Sequence, residues 1–374
     1  RFSPGPEVGH HLLHAFCHVG LQFLVVRRDF EVLAHFAGIC DEGHALILRA
    51  MMAHGLEFPE EDERKDALAL MAEVAGELGK RATDSEQDVV EDCLAFLRDL
   101  AFRDLHASLR LAAEGLLVSL AVAWESRGDG LPPRFFARLA EGLEAEMNAA
   151  AAKSAIRVLA RLAMDAKSGR AFSVLLDSAL RSPTGQARHF ALMHIGEAFG
   201  KAADLSRQWS KQCVGALVET MERDEDTGVR QTAALVLAAV AAQVEDEPEL
   251  LQESRTALLE MASGRHSEDR RFAAWRLCDL ASDLRGRPVA SEVVSDCITS
   301  LSGMAHAEGQ GMIRSFVARV LESIAQSFRK EHPGTALQCI AALRDMAAHG
   351  PSAADRRYAA TRLCALAQRF GAGD

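Results

Sequence analysis

The sequence predicts an all-α protein, an α-solenoid of about eight stacked antiparallel helix pairs. Three observations carry that expectation. Five segments align without gaps, each with an arginine in second place, and the spacings between successive arginines are 42, 40, 44 and 42 residues. Between them lie second amphipathic runs whose apolar residues recur at i, i+3, i+4 and i+7, the period of a helix buried on one side. Aromatics make up only 6% of the 374 residues, so alanine and leucine carry the apolar load. That composition favours close helix packing over a β-sandwich built from aromatic and β-branched strands.

Along the chain, residues 1–55 depart from the pattern and read as an atypical helical cap or the stump of an upstream domain; residues 56–374 read as the repeat array. The repeat begins with "ERKDALALMAEVA", which sets Arg64 seven residues before Met71, and "LRLAAEGLLVSLA", which does the same with Arg110 and Leu117. "AAKSAIRVLARLA" keeps the aliphatics Leu159 and Leu162 but holds Ala152 where the arginine belongs. The five strong segments follow: "ARHFALMHIGEAF", "VRQTAALVLAAVA", "DRRFAAWRLCDLA", "IRSFVARVLESIA" and "DRRYAATRLCALA". Their arginines are Arg188, Arg230, Arg270, Arg314 and Arg356, and their aliphatics are Ile195, Leu237, Leu277, Leu321 and Leu363. The intervening runs, such as "QWSKQCVGALVETM" and "TALQCIAALRDMA", supply the first helix of each pair. Thr184, Asp226, Ser267 and Ser352 stand where N-caps are expected. Pro133, Pro183, Pro248 and Pro333 fall in connections or first turns, where a missing N–H costs little.

A unit of about 42 residues made of two helices is the length of HEAT or armadillo repeats. "DTGVRQTAALVL" (Asp226 to Leu237) resembles the "D..VR..A...L" signature of the second HEAT helix, and the resemblance extends over roughly 56–370. It implies a solenoid whose second helices line a concave face. The recurring arginines Arg64, Arg110, Arg188, Arg230, Arg270, Arg314 and Arg356 then serve the repeat itself, pairing with acids or carbonyls of the adjacent unit, with a ligand-binding row as the other reading.

Positions opposite the buried aliphatics form a row across the second helices: His189, Met193 and Glu197; Gln231, Leu235 and Ala239; Arg271, Trp275 and Asp279; Ser315, Arg319 and Ser323; Arg357, Thr361 and Ala365. The C-terminal half suits an extended or helical acidic segment of another protein, with Trp275 as anchor and Arg271, Arg319 and Arg357 as carboxylate forks beside Asp279. The bland reading is a solvated face where arginine stems cover apolar surface. The spacing of Trp275 and Asp279 is also similar to that in HEAT-like DNA alkylation glycosylases, where an aromatic stacks on the damaged base and a carboxylate stabilises charge on the sugar. A net charge of −11, with seven lysines against 35 arginines, argues against the basic surface such an enzyme uses on phosphates.

His10, His14 and His18 repeat at i+4 beside Cys17, but no further ligands accompany them, so no metal or other cofactor is expected. "EFPEEDERKD" reads as a solvated acidic loop that sets charge at a helix N-terminus. The eight scattered cysteines lack a CxxC and read as small buried hydrophobes in a reducing, cytoplasmic compartment. No apolar run reaches the ~20 residues of a bilayer span, the longest lying around "TAALVLAAVAAQV". No nucleotide-binding, metalloprotease or hydrolase signature is present. The expectation is a non-enzymatic scaffold or adaptor that binds another protein, with no membrane partner, nucleic acid disfavoured, and possible self-association through a solenoid end. A second reading, from the arginine-, alanine- and glycine-rich composition, is a bacterial secreted effector acting in the host cytoplasm.

Overall fold

The computed structural model describes residues 61–371, apart from 82–83, 104–105, 126–130, 145–148, 202–206, 245, 285–286, 288–289, 308–310 and 331, together with a few helical residues between 45 and 52. The N-terminal histidines and most of the 1–55 cap lie outside the described residues. Among the described residues there are fifteen helices and no strand. They are α1 (Glu61–Arg81), α2 (Asp84–Arg103), α3 (Ala107–Glu125), α4 (Pro133–Glu144), α5 (Ala149–Asp165), α6 (Gly169–Arg181), α7 (Gly185–Lys201) and α8 (Arg207–Arg223). Then follow α9 (Thr227–Gln243), α10 (Pro248–Ser263), α11 (Ser267–Asp283), α12 (Ala290–Ala307), α13 (Gly311–Phe328), α14 (Pro333–His349) and α15 (Ala353–Gly371).

The chain divides into two compact units, Arg1–Ser178 and Ala179–Asp374, with the division inside α6. In the second unit the odd-numbered helices α7, α9, α11, α13 and α15 each pack on the next odd-numbered one, and the even-numbered α8, α10, α12 and α14 do likewise. Each even helix also packs on the odd helix that follows it. This two-row stacking is a helical repeat of solenoid type. The first unit has the same arrangement, with α1, α3 and α5 in one row and α2 and α4 in the other.

The repeat aliphatics form the seam. Ile195, Leu237, Leu277 and Leu321 are fully buried, and Met71, Leu117, Leu159 and Leu162 occupy the same role in the first unit. Leu363, in the last described helix, is half-buried. Small residues let second helices approach closely: Ala191, Ala233, Ala273 and Ala359 are buried three residues after each arginine. In the first helices Cys213, Ser254, Cys297 and Cys339 stand at one register position, all fully buried.

Turn chemistry sets the helix starts. Asp226 caps α9, its carboxylate accepting from Gly228 N at 2.7 Å and Val229 N at 3.3 Å. Thr184 Oγ1 accepts from Ala187 N at 3.3 Å, and Ser352 Oγ accepts from Asp355 N at 3.1 Å while donating back to Asp355 Oδ2 at 2.6 Å. Ser267 differs from expectation. It is already the first residue of α11, and His266, in an extended conformation, precedes it as N-cap with no side-chain hydrogen bond. Pro133, Pro248 and Pro333 open α4, α10 and α14. A Cβ on Gly185 would lie 2.6 Å from Asp226 Oδ2, so the start of α7 needs glycine to approach the cap of α9.

Among the described residues one helix, α3, is long and apolar enough to cross a bilayer by length and composition, at mean hydropathy 1.4, although Arg110 and Glu114 interrupt its apolar run. Eight residues of α3 are buried, it packs against α1, α2 and α5, and Glu114 is itself buried in an ion pair, so α3 is a core helix of its unit.

Candidate functional site

The recurring arginines sit in the first turn of the second helices and face two ways. Backward, four of them donate to the carbonyl six residues before: Arg188 to Ser182 O at 2.8 Å, Arg230 to Asp224 O at 2.8 Å, Arg270 to Gly264 O at 2.8 Å and Arg356 to Gly350 O at 2.7 Å. These bonds satisfy carbonyls left free where a first helix ends. Forward, three of them reach the next repeat. Arg230 donates to Asp269 Oδ2 through Nε at 2.9 Å and Nη2 at 2.7 Å, and Arg314 Nε donates to Asp355 Oδ2 at 2.8 Å. Arg188 holds Asp224 with two bonds at 2.6 and 2.9 Å. Asp269 and Asp355 each directly precede the next arginine, so the same acid position links α9 to α11 and α13 to α15. Ile313 fills that position after Arg270. In the first unit, where Ala152 replaces the arginine, the link moves along the helix: Arg157 on α5 grips Glu114 on α3 with two bonds of 2.7 Å. Arg64 and Arg110 are half-buried on α1 and α3.

The same geometry governs the Asp355 carboxyl. Burial alone pushes it up, but the Ser352 hydroxyl and the Arg314 guanidinium together hold it below the ordinary carboxylate value.

The row opposite the buried aliphatics is accessible along its whole length: all fifteen positions from His189 to Ala365 are half-buried or exposed. Its centre is Trp275, 44% exposed on α11. Phe316 of α13 stacks on the indole with centroids 5.5 Å apart and planes 25° from parallel. Trp275 is therefore backed on one side by Phe316 and still largely accessible. Asp279 is bridged to Arg276 at 2.9 Å. Burial raises its carboxyl above the ordinary value, with Arg276 and Trp275 opposing the rise and Asp283 adding to it.

The arginines around Trp275 fall into two sets. Arg230, Arg270, Arg276, Arg314 and Arg362 are engaged by carboxylates, carbonyls or rings of the stack. Arg271, half-buried, and Arg319 and Arg357, both exposed, make no ion pair or side-chain hydrogen bond among the described residues. The structure brings Trp275 and Asp279 into contact and places Arg271, Arg319 and Arg357 on the same accessible row.

Sequence reasoning missed an aromatic position. Two residues after the arginine stand Phe190, Phe272, Phe316 and Tyr358, and four residues further a cation or imidazole covers three of those rings: His194 at 4.6 Å, Arg276 at 4.9 Å and Arg362 at 4.7 Å. Arg362 also pairs with buried Glu322 of α13 at 3.1 Å. In the fourth case Val320 stands at the cation position, and Trp275 of the preceding repeat covers Phe316 instead. The recurrence was visible in the alignment, and attention to the arginines and aliphatics obscured it. Thr232 replaces the aromatic on α9, its Oγ1 lying 2.7 Å from His189 Nδ1.

The remaining expectations resolve as follows. The acidic segment starts α1 instead of forming a loop from Glu61 onward, and Lys65 with Ser108 holds the Glu61 carboxyl down at about 2. Cys93, Cys213 and Cys339 are buried free thiols, as the sequence suggests, but Cys364 is exposed on α15. Cys278 of α11 and Cys297 of α12 are paired sulfur to sulfur, Cα atoms 6.1 Å apart, a proximity that a separation of 19 residues did not announce. Trp124 is buried at the end of α3. A mixed-charge cleft of about 640 Å³ lies between the α8–α9 and α10–α11 turns, floored by the Arg230–Asp269 pair. No group of three or more potential metal ligands occurs among the described residues.

No family model matches the chain, and no curated protein matches it. Solved structures do. A crystal structure of an engineered protein aligns at 19% identity over 97% of this chain and 91% of that one, with a TM-score of 0.34. A second engineered protein aligns at 21% over 62% of this chain and 98% of that one, TM-score 0.35. A karyopherin-like chain from the structure of Kap95p with RanGDP aligns at 12% over 98% of this chain, TM-score 0.45, and this chain spans 46% of its length. At such identities and scores no property of theirs is carried over.

Proposed function

We propose that this chain is a non-enzymatic, HEAT-like scaffold that binds an acidic segment of another protein along the accessible face of its second helices. One observation supports this above the rest. On a row where neighbouring arginines are consumed by internal pairs, Arg271, Arg319 and Arg357 make no ion pair among the described residues and share the face with an accessible tryptophan stacked on Phe316. An exposed guanidinium with no carboxylate is ready to take one bidentately, and a rigid aromatic anchor beside it supplies apolar contact at little entropic cost. The internal ladder gives the row a stiff backing, so partner binding does not have to order it first.

The non-enzymatic reading is favoured by the engagement of Asp279. A glycosylase carboxylate has to be available to a sugar, whereas this one is taken by Arg276.

Selection of a displayed random-peptide library on wild-type protein beside Arg319→Glu/Arg357→Glu tests the reading. The expected outcome is enrichment of acidic peptides by wild type, lost on the variant at unchanged helical circular dichroism. Identical selections by both proteins, or no enrichment at all, would remove the function from this face.

A further inference from the structure

We propose that Cys278 and Cys297 form a reversible disulfide that locks the joint between the α10–α11 and α12–α13 pairs, and that reducing it frees this joint to flex. The inference concerns the mechanics of the stack and does not depend on what the accessible face binds.

Among the described residues the pairing occurs at one joint. In the first helices a single fully buried position holds Cys213, Ser254, Cys297 and Cys339. Eight residues after the arginine of each second helix stand Gly196, Ala238, Cys278, Glu322 and Cys364. Cysteine meets cysteine between α11 and α12, whereas Cys213 and Cys339 are free thiols. The two Cα atoms are 6.1 Å apart, inside the span of ~4.4–6.8 Å that a disulfide bridges without backbone movement. Cys297 faces α11 on a second count. Its Sγ lies 3.7 Å from the Ala274 carbonyl, which accepts the thiol proton when the pair is reduced.

The ladder changes at this same joint. Asp269 links α9 to α11 and Asp355 links α13 to α15, but Ile313 occupies that position at the start of α13 and offers no carboxylate to α11. Arg270 remains on the carbonyls of Gly264 and Arg265. The first-helix row is charge-linked here, with Arg255 of α10 paired to Glu292 and Asp296 of α12 at 2.9 and 2.7 Å. On the second-helix row the stack of Trp275 on Phe316 stands in place of the carboxylate link. The joint is therefore built to open on the accessible side, and the cysteine pair is the covalent tie from α11 across it to α12.

Burial sets the order of the chemistry. Cys278 is half-buried and Cys297 is fully buried, so a reagent meets Cys278 first. With a small-molecule disulfide such as oxidised glutathione as oxidant, the Cys278 thiolate attacks one sulfur, breaks the reagent's S–S bond and releases one thiol. The Cys297 thiolate then attacks Cys278 Sγ and expels the second. Two protein thiols become one disulfide, the reagent becomes two thiols that carry the two protons, and dithiothreitol reverses the exchange. The bond joins residues 19 apart and closes a loop around the α11–α12 connection, which restricts how far the joint can open.

The test uses the full chain carrying Cys364→Ser, which removes the exposed thiol of α15. The protein is equilibrated with oxidised or reduced glutathione and followed by peptide mass mapping and residue-resolved hydrogen exchange. The expected result is a linked Cys278–Cys297 peptide pair in the oxidised sample that disappears on reduction. Exchange in α11–α13 should be at least ~10-fold slower in the oxidised form, with α7 and α8 unchanged. Adding Cys297→Ala should halt the reaction at a glutathione adduct on Cys278 and leave exchange at the reduced rate. Absence of the linked peptides, a link from either cysteine to a different one, a bond that persists in dithiothreitol, or equal exchange in both states would each overturn the proposal.

Discussion

Replacing Asp269 by alanine should unfasten one joint of the stack and leave the others closed. Asp269 is 4% exposed and accepts two hydrogen bonds from Arg230, at 2.9 and 2.7 Å, with Gln231 Nε2 a third donor at 3.3 Å. Alanine leaves the Arg230 guanidinium, 10% exposed, without a counter-charge. Removing one partner of a buried pair costs ~3–5 kcal/mol, because the other charge stays desolvated. The lower end is expected here, since Arg230 keeps the carbonyls of Asp224 and Glu225 and the Thr227 hydroxyl. Replacing both partners with apolar residues, Arg230→Met/Asp269→Leu, should return to within ~1 kcal/mol of wild type, so the double-mutant cycle should show coupling of at least ~2 kcal/mol. Each repeat contacts only its neighbours, so hydrogen exchange should quicken in α9 and α11 and not in α15. Urea unfolding with residue-resolved exchange reads both quantities. A single-mutant loss under ~1 kcal/mol, or a double mutant as unstable as the summed singles, would refute the ladder as the link between repeats.

Other outcomes follow from the same structure. The Asp355 carboxyl is depressed in the folded state, so its contribution is present above the unfolded carboxylate value and lost as pH falls through the folded one. Acid unfolding monitored by circular dichroism should therefore begin at higher pH in wild type than in Arg314→Met/Asp355→Leu. Phe316→Leu removes the stack under Trp275, which should cost ~0.5–1.5 kcal/mol and increase quenching of tryptophan emission by acrylamide. Glu114→Ala leaves half-buried Arg157 with the Ser154 hydroxyl alone and should lower the stability of the first unit by ~1.5–3 kcal/mol in urea titration. His306, held protonated by the Ser302 carbonyl and by Asp345, should titrate above the ordinary imidazole value in proton NMR and move back toward it in Asp345→Asn.

The helices, their 42-residue rhythm and the buried seam were legible in the sequence because they are local or periodic. A helix needs only its own apolar spacing and caps, and a repeat shows itself by recurrence, so Ile195, Leu237, Leu277 and Leu321 could be placed in the core without coordinates. The arginine position was legible on the same ground, and so was the accessible row, whose members lie opposite the seam on a 3.6-residue turn. What no periodicity contains is which side chain meets which across two helices. Tertiary packing alone decided that Arg230 and Arg314 take the acid before the next arginine while Arg188 takes Asp224, and that Glu114 and Arg157 replace the missing arginine of α5. It decided also that Trp275 lies on Phe316, that Cys278 meets Cys297, and that His266 displaces Ser267 as the cap of α11. The candidate site divides along the same line. Composition and spacing put Arg271, Trp275, Asp279, Arg319 and Arg357 on one face, but a sequence cannot distinguish an arginine with a carboxylate from one without. That difference is a matter of a few ångströms between residues about forty apart in the chain, and it is what separates the arginines of the ladder from those without a carboxylate.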